Sequence, residues 1–151
     1  MKLFFPGSFD PFTIGHADLV ERALNLGCEV VIAVGINEEK RPLFSSEQRL
    51  EAIRSYYKGY SRVSVIEYKG LTVSAVRDNG CDAILRGIRS VTDYDNERNL
   101  ADINRSIDGI ETVLLVSSPA VQHVSSSLVR ELLSFGRNAD DLFIDTFKPY
   151  L

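Results

Sequence analysis

The chain of 151 residues has no tryptophan, one methionine and only two cysteines, Cys28 and Cys81. Two cysteines so far apart build neither a metal-ligand cluster nor a disulfide framework, so both read as reduced thiols of a cytoplasmic protein. No apolar run approaches the roughly 20 residues that cross a bilayer. The opening residues lack a basic segment followed by a long apolar one, so no secretory leader is expected. Positive charge is not in excess either. Seventeen Lys and Arg against 21 Asp and Glu leave a net charge of −4. That balance argues against binding duplex nucleic acid and leaves room for a local basic pocket. Several motifs are missing: G-x-G-x-x-G and G-x-x-x-x-G-K-[ST] of phosphate-binding loops, G-x-S-x-G, H-E-x-x-H and C-x-x-C. No Pro- or Gly-rich linker interrupts the chain, so one domain over residues 1–151 is expected.

What is present reads as alternating strands and helices. Lys2–Phe5, Val30–Val34, Val63–Ile66, Asp82–Leu85 and Thr112–Val116 are short runs rich in Val, Ile, Leu and Phe. The second and fifth are continuously apolar, as strands buried on both faces are, whereas the third alternates as a strand near an edge does. Helical patterns fill the intervals: about Gly15–Leu26, from Ser45 through Tyr57, from Thr72 to Asn79, from Asp93 as cap through Arg105, from Ser125 to Phe135, and roughly Asp140–Phe147. Ser45 and Gln48 have the spacing of a capping box. Leu26-Gly27-Cys28-Glu29-Val30 and Asn79-Gly80-Cys81-Asp82-Ala83 echo one another, as two similar units of one sheet would. The fold expected is α/β: a Rossmann-like, doubly wound, five-stranded and mostly parallel sheet with helices on both faces.

The segment Phe4-Phe5-Pro6-Gly7-Ser8-Phe9-Asp10-Pro11-Phe12-Thr13-Ile14-Gly15-His16 organises the rest. Backbone breakers on both sides of Ser8-Phe9 set a tight loop between the first strand and the first helix. A helix start presents unpaired N–H groups and partial positive charge, which suits phosphate. His16 lies there and can donate a hydrogen bond to a phosphoryl oxygen. Its loss is expected to lower turnover and leave melting unchanged. Three further segments follow strands or open helices on the same sheet edge. Lys40 lies in the polar loop Asn37–Pro42, with Arg41 as the neighbouring alternative, and a lysine there can neutralise a reacting phosphate. Arg86-Gly87-Ile88-Arg89 sets two guanidinium forks around a glycine that lets a ligand approach. Ser125-Ser126-Ser127 offers hydroxyls and free N–H groups together at a helix start.

Together these segments resemble the nucleotidylyltransferase superfamily, and Thr13 in place of the first His of its His-x-Gly-His signature resembles the phosphopantetheine adenylyltransferase branch. The resemblance implies adenylyl transfer from ATP to 4′-phosphopantetheine in coenzyme A biosynthesis, with Mg²⁺ carried on the ATP phosphates, and a cytoplasmic homohexamer. It implies catalytic roles for His16, Lys40 and Arg89. ATP would meet Ser8, Phe9, His16, Gly87, Ile88, Arg89, Glu97 and the segment Val121, Gln122, His123, Val124, Ser125, Ser126 and Ser127. The acceptor would meet Ser8, Lys40, Thr72, Arg86, Leu100 and Asn104. The family often has an aromatic residue near Val121-Gln122-His123, where His123 would partly substitute. Alternatives are another small-acceptor enzyme of the superfamily, such as a nicotinate-nucleotide adenylyltransferase or a glycerol-phosphate cytidylyltransferase, and a non-catalytic nucleotide-binding regulatory module.

Overall fold

A computed structural model describes residues 1–151. Five strands, β1 (Lys2–Gly7), β2 (Glu29–Gly35), β3 (Val63–Tyr68), β4 (Ala83–Ile88) and β5 (Glu111–Val116), form one sheet in the order β3-β2-β1-β4-β5. Every adjacent pair is parallel. The helices are α1 (Ile14–Asn25), α2 (Ser46–Tyr56), α3 (Thr72–Asp78), α4 (Val91–Asp108) and α5 (Ser126–Ser134), followed by a 3₁₀ turn over Asp145–Tyr150.

β1 is central, and its pleat divides the core. Leu3 and Phe5 join the larger cluster with Leu19, Val20, Ile53, Val129 and Phe147. Phe4 points to the other face, where Val31, Ala33, Val76 and Ile84 surround it. Helices therefore cover both faces, as the doubly wound pattern requires. The chain order changes direction beside β1, where β1 pairs with both β2 and β4. The loops at the carboxyl ends of β1 and β4 thereby open a crevice between them.

The sequence echo is a repeated helix ending. Gly27 and Gly80 both have positive φ, at 84° and 60°. Cys28 N–H donates to the Ala23 carbonyl, and Cys81 N–H to the Val76 carbonyl. These are two Schellman endings, each delivering the chain into a strand that pairs with β1.

Four expectations are corrected. β4 continues through Ile88, so Arg86 and Gly87 lie within the strand rather than after it. Ser90, not Asp93, caps α4; its hydroxyl accepts from Asp93 N–H, which frees the Asp93 carboxylate for Arg89. β5 is an edge strand and only partly covered, although its sequence is as apolar as that of an inner strand. The last helix is a 3₁₀ turn beginning at Asp145 rather than Asp140. Phe143 instead bridges to Thr13, which draws the preceding residues out of helical geometry.

Gly87 has a further role. A Cβ at that position would run into the Leu19 Cδ1 methyl group, so the missing side chain lets α1 sit close on β4. Gly87→Ala is expected to lower the unfolding free energy by about 1–3 kcal/mol, as overpacking does. Combined with Leu19→Ala, it should cost less than the sum of the two single changes, read by denaturant unfolding as a double-mutant cycle.

Candidate active site

The loop from β1 to α1 is held from three directions. The Asp10 carboxylate accepts from Leu43 N–H and Phe44 N–H, both at 2.8 Å, joining it to the loop after β2. Arg49 of α2, only 5% exposed, donates from Nη1 to the Ser8 carbonyl at 2.6 Å and from Nε to the Phe44 carbonyl at 3.1 Å. From α5, Arg130 Nη1 donates to the Asp10 carbonyl and Ser126 Oγ to the Pro11 carbonyl, each at 2.8 Å. Phe9 has a φ of 50°, in the left-handed region. Its ring lies where a side chain on Gly7 would be, 2.7 Å from the Cβ position, so only glycine fits there.

Thr13 then starts α1. Its Oγ1 accepts from His16 N–H at 3.3 Å, while its own N–H donates to His16 Nδ1 at 2.9 Å. This is a capping box with histidine in the place usually held by Glu or Gln. Because Nδ1 accepts, the proton of the neutral ring sits on Nε2. His16 packs among Phe5, Phe9 and Phe12, with ring centroids 6.1, 5.0 and 5.2 Å away. Burial, then the charge of Arg86 and that of Arg89, lower its pKa to about 3. The ring is therefore a neutral N–H donor at physiological pH, and its loss would also remove a cap, contrary to the expectation of unchanged melting.

Arg86 is engaged rather than free. Its Nε and Nη2 donate to the two oxygens of Glu97 at 2.8 and 2.7 Å, and Nη1 donates to the Pro6 carbonyl at 2.9 Å. Arg89 donates to Asp93 at 3.1 Å and to the Val124 carbonyl at 3.2 Å, tying the end of β4 to the loop before α5.

Two clefts meet on this frame. The first, about 340 Å³, runs over the β1–β4 crevice to α4; Ser8, Thr72, Arg86, Leu100 and Asn104 all line it. The second, about 350 Å³, lies between α1 and α5 and is lined by Ser8, Phe9, His16, Gly87, Arg89 and Glu97, with Val121, Val124 and the three serines Ser125, Ser126 and Ser127. Pro6, Gly7, Ser8, Arg86 and Glu97 are common to both.

Four expected residues fall elsewhere. Lys40 lines a third, smaller cavity of about 230 Å³ with Arg41, Arg49 and Arg130, which touches the other two at Ser8. Its place is set by a turn closed by Lys40 N–H on the Asn37 carbonyl. Ile88 contributes its carbonyl to Ser117 N–H, and its side chain lines neither large cleft. Gln122 and His123 are exposed on the turn before α5 and do not line the cleft.

Sequence reasoning missed Asp10, Arg49 and Arg130. Arg49 sits in an ordinary amphipathic helix, and only its depth distinguishes it. Arg130 lay in view after the serines, two residues beyond Leu128.

The model of the cytidylyltransferase-like family matches residues 4–132. The chain is 54% identical over 143 residues to a phosphopantetheine adenylyltransferase of Porphyromonas gingivalis, covering 95% of this chain and 94% of that one. It is 47% identical to one of Bacteroides thetaiotaomicron, covering 91% of each, and 45% identical to one of Prochlorococcus marinus, covering 94% and 89%. Among solved structures, it resembles a bifunctional NMN adenylyltransferase/ADP ribose pyrophosphatase from Francisella tularensis complexed with AMP and a manganese ion. That likeness has a TM-score of 0.67 at 17% identity and covers 94% of this chain but 44% of that one, so it is a likeness of fold.

His16 generates a pH prediction. Its folded pKa of about 3 lies below the ordinary histidine value of 6.5, so the unfolded chain takes up the proton first as pH falls. Stability present above pH 6.5 is then lost toward pH 3, by at most about 1.4 kcal/mol per pH unit. His16→Gln, which can keep the cap, should show a shallower loss of unfolding free energy between pH 6.5 and 4.5. Parallel curves for the two proteins would mean that His16 is not held neutral.

Proposed function

The chain belongs to the cytidylyltransferase-like family and, within it, to the phosphopantetheine adenylyltransferases, and from that premise we propose how its site works. It transfers the adenylyl group of ATP to 4′-phosphopantetheine, giving dephospho-coenzyme A and pyrophosphate. The observation that carries this reading is the meeting of two clefts at Ser8 and Arg86, with a neutral histidine in the wall of the second whose Nε2–H is left out of the helix cap. ATP takes the cleft of His16, Arg89 and the serines, and the acceptor takes the cleft of Thr72, Arg86, Leu100 and Asn104.

An oxygen of the acceptor's phosphate attacks the α-phosphorus in line. The bond to the β-phosphate bridging oxygen breaks, and its electron pair leaves with pyrophosphate. The nucleophile is already an anion at neutral pH, since the second pKa of a phosphate monoester is near 6. No base is needed, which suits a histidine too weakly basic to be one. His16 Nε2–H, Arg89 and Lys40 supply donors and positive charge to the transferring group. Lys40 reaches it from the third cavity, over Ser8. N–H groups at the start of α5 and the serine hydroxyls hold the triphosphate.

Magnesium supplies neutralisation of triphosphate charge when bound. The chain forms no cage for it, since no three His, Cys, Asp or Glu side chains cluster. The cleft carboxylates Asp93 and Glu97 are each taken up by an arginine. In this reading the ion is carried on the ATP phosphates. The chain acts in the cytoplasm as one catalytic domain, in keeping with two free cysteines. It assembles as a homohexamer; support comes from α4, none of whose residues is buried and which exposes Tyr94, Leu100, Ile103 and Ile107.

Pyrophosphate release from Mg-ATP should require 4′-phosphopantetheine, with none above background for nicotinate mononucleotide, glycerol 3-phosphate or no acceptor. Release with another acceptor would move the chain to a sister activity, and ATP binding without any release would favour a regulatory module. His16→Ala should lower kcat by about 10²–10³ and, through the lost cap, stability by about 1 kcal/mol. A kcat loss under about fivefold would remove His16 from that role. Ile103→Asp should shift sedimentation toward smaller species if α4 carries the assembly.

A further inference from the structure

Three buried side-chain oxygens have no hydrogen-bond partner: Tyr57 Oη, Thr112 Oγ1 and Thr146 Oγ1. A buried hydroxyl without a partner is costly, and native structures keep few of them. Of these three residues, only Thr112 lines either large cleft; it belongs to the acceptor cleft.

Its position along the sheet is fixed by register. Thr112 of β5 pairs with Ile84 of β4, and Leu114 pairs with Arg86. Ile84 and Arg86 line the same cleft and, two residues apart, share one face of the strand. Thr112 therefore sits about 6–7 Å along the strand direction from the level of Arg86, on that face. If the acceptor's phosphate lies at Arg86, as in the function proposed above, the atoms at that remove are the hydroxyl and first amide that follow the phosphate in 4′-phosphopantetheine. The same cleft is lined by the apolar Ile84, Leu100 and Ala101 and by the polar Asn104 of α4. A threonine exchanges its hydroxyl and methyl positions by one rotamer step. The side chain can thus turn its hydroxyl into the cleft when a partner arrives there.

We infer that Thr112 is a specificity residue, whose hydroxyl is left without a partner in the free protein and hydrogen-bonds the polar group next to the acceptor's phosphate. The inference rests on the phosphopantetheine reading. A threonine kept only for its strand preference could be valine without loss. A threonine kept unpaired for a ligand gives a different signature: valine stabilises the free protein and weakens acceptor binding.

The experiment is steady-state kinetics and thermal melting of Thr112→Val and Thr112→Ser beside the wild type. Thr112→Val should raise KM for 4′-phosphopantetheine about tenfold, the worth of one hydrogen bond, with KM for ATP and kcat unchanged. It should also raise Tm by about 2–4 °C. Thr112→Ser should keep the wild-type KM. An acceptor KM within twofold of wild type for Thr112→Val, or a lowered Tm, would overturn the proposal. A wild type that turns over no 4′-phosphopantetheine would overturn the function reading, and this proposal with it.

Discussion

The reciprocal pair of hydrogen bonds between Thr13 and His16 is the constraint on which the site depends. One bond begins α1 by satisfying a free N–H at its start. The other consumes Nδ1 and so leaves Nε2 as the donor. Helix initiation and tautomer selection are thus one event. A residue that acted in catalysis without closing the cap would have a rotatable ring and an undecided proton. The same geometry explains Thr13: a hydroxyl at the cap accepts from His16 N–H while leaving the imidazole its backbone donor. Asp10 then ties the loop to the segment after β2, while Arg49 of α2 and Arg130 of α5 bond into it from either side.

The charge distribution follows from this arrangement. The chain is acidic overall, at −4, yet Lys40, Arg41, Arg49 and Arg130 border one small cavity, and Arg86 and Arg89 lie beside the next. The two arginines of the second cleft are held by different means. Arg86 is fixed by a two-oxygen fork to Glu97, whose carboxylate is itself mostly buried. Arg89 is partly exposed and tied at both ends of its guanidinium. A fixed guanidinium is aimed before the ligand arrives, which is where preorganised electrostatics gains over water. Arg86 needs Glu97 for that aim, so the acid lends orientation while cancelling part of the charge.

Much of the fold was legible because hydrophobic period and breakers dominate in α/β chains. The buried runs of β1 and β2, the capping box of α2 and the twin glycine endings all follow from local rules, and the structure keeps them. Two of the failures come from long-range contacts that no local pattern shows. β5 has the sequence of an inner strand, yet lies at the edge, because strand order is decided by crossover connections rather than composition. The residues from Asp140 look helical, yet Phe143 prefers a bridge to Thr13. In the site, residues near a strand end or helix start could be picked out, because phosphate chemistry needs those places. Glu97, Leu100 and Asn104 came from family resemblance alone; on α4 they look like any mixed-charge helix face. Arg49 could not be read at all, since its meaning lies in a partner 41 residues away, the Ser8 carbonyl.

The two large clefts share a wall made of Pro6, Gly7, Ser8, Arg86 and Glu97. In the function proposed above, two separate substrates arrive on this wall as two ligands, each losing its own freedom of translation. The product, in which they are joined, is a single chelating ligand for the same wall, and its second half binds at the high effective concentration set by the first. The shared wall that brings the reacting atoms together therefore also retains what they become. In the reaction proposed above, bond formation ties the two halves into one ligand as pyrophosphate departs, so release requires one half to let go while the other still holds.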